Sequence, residues 1–183
     1  MIYLSKGAVC KGSTEERLKI AHCGNEFILI KSEAVLWLNG QFGFAETSDH
    51  GILKHLERMG LVECEQENSV ISRYRILTRC VCCPAKKSSG IFSGALEKEL
   101  LIWLTRAGLR LSAAELIFLT EKQIKPVENL LYESNRQALV EAIYTPNNIS
   151  DNLLEFQMER SASRDLVVNA LLGLLKKKKL VIL

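Results

Sequence analysis

The chain has 183 residues, 48% hydrophobic and 25% charged, with 24 Lys and Arg against 21 Asp and Glu and a formal net charge of +3. These are ordinary globular proportions, which exclude a long disordered chain and a collagen-like fibre, and +3 is far from the footprint of a protein that coats nucleic acid. No window approaches the roughly 18 apolar residues of a membrane span, and Met1 to Cys10 lacks the charged start and apolar run of a secretory signal, so a cytoplasmic protein with no membrane partner is expected.

In chain order, Ile2 to Val9 reads as a short strand. Thr14 to His22 reads as a short helix, with Thr14 as N-cap and Glu15 and Glu16 in a first turn that favours acids. Glu26 to Ile30 is a compact apolar strand, and Ser32 caps a helix from Glu33 to Asn39, which Asn39-Gly40 breaks. Ser48 or Asp49 caps the next helix, to Met59, with Ile52, Leu53 and Leu56 as its apolar face and Gly60 as a fitting C′ residue. Leu61 to Glu65, the polar turn Gln66 to Ser69, and Val70 to Val81 read as a hairpin. In its return strand Tyr74, Ile76 and Thr78 alternate with Arg73, Arg75 and Arg79, so three arginines share one face.

Pro84 to Gly94 has linker chemistry. Beyond it the pattern is helical. A first helix, Ala95 to Ala107, ends at Gly108. Ser112 with Glu115 makes a capping box for a helix to Leu119, and Thr120 with Gln123 makes another. Pro126 opens a helix to Tyr144 that Thr145 to Asn148 stops. Ser150 starts a helix from Asp151 to Arg160, Ser161 or Ser163 starts the last helix, to Lys177, and Leu180 to Leu183 closes as a short strand.

The six cysteines lie in the first half, with Cys80, Cys82 and Cys83 adjacent. Their two readings are a zinc or redox site and buried free thiols. The spacing is too tight for the usual zinc knuckle, so no metal and no cofactor are assigned. Sequence motifs for hydrolases, metalloproteases, P-loops and dinucleotide binding are absent, so no catalytic residue is assigned and no enzyme is expected.

Ile52 to Val62 resembles the third helix of winged-helix (helix-turn-helix) DNA-binding domains, which ends in Leu-x-x-Leu-x-x-x-Gly-Leu-Val. The resemblance covers roughly residues 26–83 and makes Val62 to Leu77 the wing. It implies an α+β, mainly helical protein: a winged-helix-like domain over 1–83, a linker over 84–94 and a helical domain over 95–183. Leu172, Leu175, Leu180 and Val181 repeat the spacing of Leu53, Leu56, Leu61 and Val62, which makes the second half a candidate degenerate second winged helix.

The resemblance implies a transcription-regulatory protein whose partner is double-stranded DNA. His50, Lys54, His55 and Arg58 would face the groove, and Arg73, Arg75 and Arg79 would clamp phosphates. Lys176 to Lys179 is either a phosphate patch or a complement to a helix end. Against DNA stand Glu46, Asp49, Glu57, Glu63, Glu65 and Glu67 near the same elements. The alternative is a protein-interaction or adaptor module with the same fold, with Phe42, Phe44, Trp37, Trp103 and the acidic hairpin edge as contact residues. A homodimer through Leu166 to Leu183 is a further expectation.

Overall fold

The computed structural model describes residues 1–14, 17–85, 94–106, 111–127, 141, 143–144 and 156–183. The chain is α+β, with small antiparallel sheets and packed helices. Strand β1 (Ile2–Ser5) lies between β5 (Ala45–Glu46) and β6 (Val62–Glu65), pairing antiparallel with both. The expected strand Ile2–Val9 breaks at Gly7, whose φ of 102° turns the backbone out of the first sheet. The next two residues, β2 (Ala8–Val9), join a second sheet in the order β2, β3 (Leu18–His22), β4 (Asn25–Leu29).

The expected helix Thr14–His22 is thus a correction. Leu18, Ile20 and His22 are buried while Lys19 and Ala21 face outward, which is the two-residue period of a strand. Thr14 accepts from the Arg17 N–H and closes a turn rather than a helix, while Glu15 and Glu16 lie outside the described residues. Cys23 (φ 49°) and Gly24 (φ 84°) form the left-handed two-residue turn that joins β3 to β4.

Helix α1 (Lys31–Asn39) starts one residue before the expected cap, so Ser32 is inside it, and Ile30 is an N-cap with no side-chain bond. Helix α2 (His50–Arg58) is capped by Asp49, which accepts from the Ile52 N–H at 3.0 Å, and Gly60 turns left-handed as expected (φ 73°).

The larger correction follows β6. The expected return strand Val70–Val81 is helix α3 (Val70–Thr78), capped by Ser69, whose hydroxyl accepts from the Ser72 N–H. Residues 62–78 therefore form no wing. Helix α3 is buried on two sides: it packs on β1 and β6, and also on α5 (Ala113–Glu121) and α6 (Arg164–Lys176). Ser72, Tyr74, Ile76 and Leu77 fill both contacts. That two-sided burial imitates strand alternation in the sequence.

Helix α4 (Ala95–Arg106) matches its expectation, and α5 carries the full Ser112–Glu115 capping box. The second expected box is corrected: Thr120 lies within α5 and its hydroxyl donates to the Leu116 carbonyl. Gly108, most of the Pro126–Tyr144 helix, the Thr145–Asn148 stop and the start of the Asp151 helix fall outside the described residues, as does most of the Pro84–Gly94 linker.

Strand β7 (Cys82–Pro84) pairs antiparallel with the closing strand β8 (Leu180–Ile182), and Gly7 N–H donates to the Ile182 carbonyl. One core cluster takes Ile2, Leu4, Tyr74 and Cys82 together with Leu100, Trp103, Leu116, Leu171 and Ile182, so the halves on either side of residue 90 share a core. A second cluster holds Trp37, Leu53, Leu56 and Leu61 beneath β3 and β4.

The sequence echo is a shared local ending. Gly60 and Leu61 donate to Glu57 and Leu56, and Lys178 and Lys179 donate to Leu175 and Leu174. Lys178 (φ 56°) therefore takes the left-handed place of Gly60, one residue out of register with the sequence match.

Candidate interaction surfaces

Of the residues expected at a DNA interface, one group comes together and the other does not. Burial of Leu53 and Leu56 aims the opposite side of α2 at solvent. His50, Lys54, His55 and Arg58 are all exposed there, and His50, Lys54 and Arg58 are successive i, i+4 neighbours. The imidazole of His55 lies 3.5 Å from Glu33 on α1. Glu57, on the same helix, accepts from the Cys64 thiol at 3.1 Å.

The three arginines do not share a strand face, because their segment is helical. Arg73 donates to Asn68 at 2.9 Å, with its guanidinium 5.8 Å from the Phe44 ring centroid. Arg75 meets Glu159 at 2.9 Å, and Arg79 meets Glu65 at 2.6 Å. Each guanidinium thus faces an internal acceptor. Glu63 on β6 is likewise taken, by Lys6 at 3.2 Å.

The four C-terminal lysines are divided as well. Lys177 meets Glu97 at 2.6 Å, Lys178 sits 5.0 Å from the Phe42 ring centroid, and Lys179 is buried. Phe42 and Phe44 consequently serve as platforms for internal cations. Trp37 and Trp103 are buried core residues, and the Trp37 indole N–H donates to the Lys6 carbonyl. Neither tryptophan is a surface contact residue.

Cys80 and Cys82 are buried, and the Cys80 thiol donates to the Ile76 carbonyl at 3.1 Å. Both belong to the core. Among the described residues no three His, Cys, Asp or Glu side chains converge on a metal-sized site.

A surface that sequence reading missed lies on the β4–α1 segment. Ile28, Ile30, Val35 and Leu38 are 43%, 48%, 59% and 45% exposed. The Glu26–Ile30 run looks like a buried strand because its apolar residues are consecutive. Its pairing with Lys19 was the signal that Ile28 faces out: directly opposed residues share a face. Strand β4 also ends its sheet. The two-residue turn makes His22 and Asn25 a hydrogen-bonded pair, so the backbones of Glu26 and Ile28 point away from β3. Cys10 N–H donating to the Lys19 carbonyl fits that register, since Lys19 then faces β2 and its partner Ile28 faces outward. Among the described residues no strand covers this edge. Among them, too, no helix is long and apolar enough to cross a membrane. Comparison with protein families, with curated proteins and with solved structures finds no match.

Proposed function

We propose that this protein is an interaction module that receives a protein partner on the open edge of β4 and the outward side of α1. The observation that carries this reading is the run of four large apolar residues, Ile28, Ile30, Val35 and Leu38, left exposed beside a strand edge that no strand covers among the described residues. Isolated exposed apolar residues are normal, but a concentration within eleven residues beside free backbone donors and acceptors suits partner binding. The internal engagement of Arg73, Arg75 and Arg79 favours it over a phosphate clamp.

A photoreactive phenylalanine analogue at Val35, with one at Lys98 as control, tests the reading in cells that express the protein. A discrete protein adduct from position 35 alone, lost on Leu38→Asp, is the expected result. Equal labelling at both positions, or none at 35, overturns it.

The exposed His50, Lys54, His55 and Arg58 face of α2 supports DNA binding as a second reading. That reading requires duplex binding that weakens steeply with salt and is lost on Lys54→Ala with Arg58→Ala. Fluorescence anisotropy measures both.

A further inference from the structure

The tip of the β3–β4 hairpin holds an exposed thiol against a buried imidazole. Cys23 is the exposed member of the six free cysteines, and its Sγ lies 3.5 Å from His22 Nε2. His22 is only 9% exposed, and its Nδ1 is buried without a hydrogen-bond partner among the described residues. An open cavity of about 470 Å³ adjoins the pair, lined by Ala8, Ala21, His22, Cys23, Gly24 and Leu183. That volume is in the range of small-molecule sites, and the small side chains of Ala8, Ala21 and Gly24 leave room beside the sulfur.

The unpartnered Nδ1 decides what His22 does to the thiol. Burial first, and the charge of Lys6 second, hold the imidazole below its ordinary pKa, so near pH 7 the ring is neutral and has one N–H to place. A proton on Nδ1 would bury a donor with no acceptor. A proton on Nε2 lets that N–H donate to Cys23 Sγ and leaves only a lone pair at Nδ1. Buried N–H groups without a partner are rarer than buried acceptors without one, so the Nε2 tautomer is favoured. That N–H holds the Cys23 sulfur in place beside the cavity, oriented toward whatever enters it.

We propose that Cys23 is a modification site that takes a low-molecular-weight disulfide into the adjoining cavity and becomes a mixed disulfide, with His22 as its positioning residue. The Cys23 thiol first gives its proton to solvent. Its thiolate sulfur attacks one sulfur of the incoming disulfide. The new S–S bond forms as the old one breaks, and the leaving thiolate takes the electron pair and then a proton from solvent. Cys23 is oxidised and the departing sulfur is reduced, so the exchange needs no other oxidant.

The test measures reaction of the full chain with oxidised glutathione and with dithiobis(nitrobenzoate), locating the modified cysteine by peptide mass. The expected first label is Cys23, ahead of the half-buried Cys10 and Cys83. Its rate in the native protein should be about three- to tenfold that of the same cysteine in concentrated urea at equal pH, the gain from a sulfur held in place beside a cavity that seats the reagent. His22→Leu should bring the native rate to the urea level, whereas His22→Gln, which keeps an N–H at similar reach, should retain most of it. A native rate no higher than in urea, first labelling at Cys10 or Cys83, or an unchanged rate in His22→Leu overturns the proposal. Should His22→Leu fail to fold, the native-against-urea ratio of the unaltered chain decides alone.

Discussion

Glu97 lies directly against Gly173, and a Cβ added at Gly173 would occupy the place of the Glu97 Oε1 atom. The contact brings α4 against α6, and Glu97, only 8% exposed, reaches past the glycine to Lys177 at 2.6 Å. A glycine in mid-helix costs about 1 kcal/mol relative to alanine. Gly173→Ala should recover that amount and lose more, because the buried carboxylate must leave its place beside Lys177. A net destabilisation of about 1–2 kcal/mol is expected from urea unfolding. Glu97→Ala combined with Gly173→Ala should cost less than the sum of the two single changes, since the clash is then gone. Strict additivity would place the cost elsewhere.

Gly40 makes a similar close approach for a different reason. Its φ of −89° suits any residue, so conformation does not require glycine. An added Cβ would fall 2.6 Å from Tyr3 Cε2, beside Ser5 Oγ. Neither neighbour can yield: Tyr3 donates to the Leu36 carbonyl at 2.8 Å and Ser5 to the Trp37 carbonyl at 2.7 Å, both buried. Gly40→Ala should destabilise by about 2–3 kcal/mol. Gly43→Ala is the control, because its nearest neighbour would be Lys176 Cε at 3.9 Å, and it should lie within about 0.5 kcal/mol of the parent. Equal effects at the two glycines would show that overpacking is not the cause.

Helix α2, buried on one face, was legible in the sequence, whereas α3, buried on two, was not. Helix α2 has a single apolar face, a capping Asp49 and a closing Gly60, and its residues identify it. Helix α3 is pressed between a sheet and two helices, so Tyr74 and Ile76 are both buried and the helical period is lost. The Ser69–Ser72 cap was the remaining signal. At β3 the alternation of Leu18, Ile20 and His22 was present in the sequence, but two acids after Thr14 suggested a helix start. The basic residues of the candidate site were visible as residues, whereas their acceptors were not. Glu159 lies 84 positions from Arg75, a pairing that only the packing of α3 on the C-terminal half creates.

Stability should fall on both sides of a window of about pH 6.5–9. Burial pushes the Cys64 thiol up from 9.0 to about 12, with the hydrogen-bonded Glu57 second, and burial pushes Cys80 up to about 12. Cys82 is raised by burial as well. In the native state these thiols keep their protons above pH 9, where the unfolded chain loses them. Their contribution is therefore complete below the unfolded value and is lost as pH rises. Each group gives a slope of about 1.4 kcal/mol per pH unit, so the three together give about 4. His22 has the opposite sign. Its folded pKa lies below 6.5, so its contribution is present above that value and is lost as pH falls. Urea midpoints measured across the alkaline range should show the Cys82→Ala variant losing about a third of the slope, whatever its baseline. An unchanged slope would mean that these thiols ionise in the folded protein as they do in the unfolded chain.

Cys23 occupies a backbone position that favours other residues. With φ of 49° at Cys23 and 84° at Gly24, the hairpin turn is left-handed at both central residues, the geometry in which Asn-Gly is preferred. A side chain other than glycine or asparagine costs about 1–2 kcal/mol there, and asparagine recovers part of it through its own local hydrogen bonds. The thiol is exposed, so its replacement opens no cavity, and among the described residues the hydrogen bond given up is the one to His22. Cys23→Asn should therefore stabilise the protein by about 0.5–1 kcal/mol, a rise in Tm of about 1–4 °C for a chain of this length. Thermal unfolding under reducing conditions measures it. A fall in Tm would show that the thiol–imidazole contact outweighs the strain of the turn, and the same measurement on His22→Leu, which removes the N–H, would then show a matching loss.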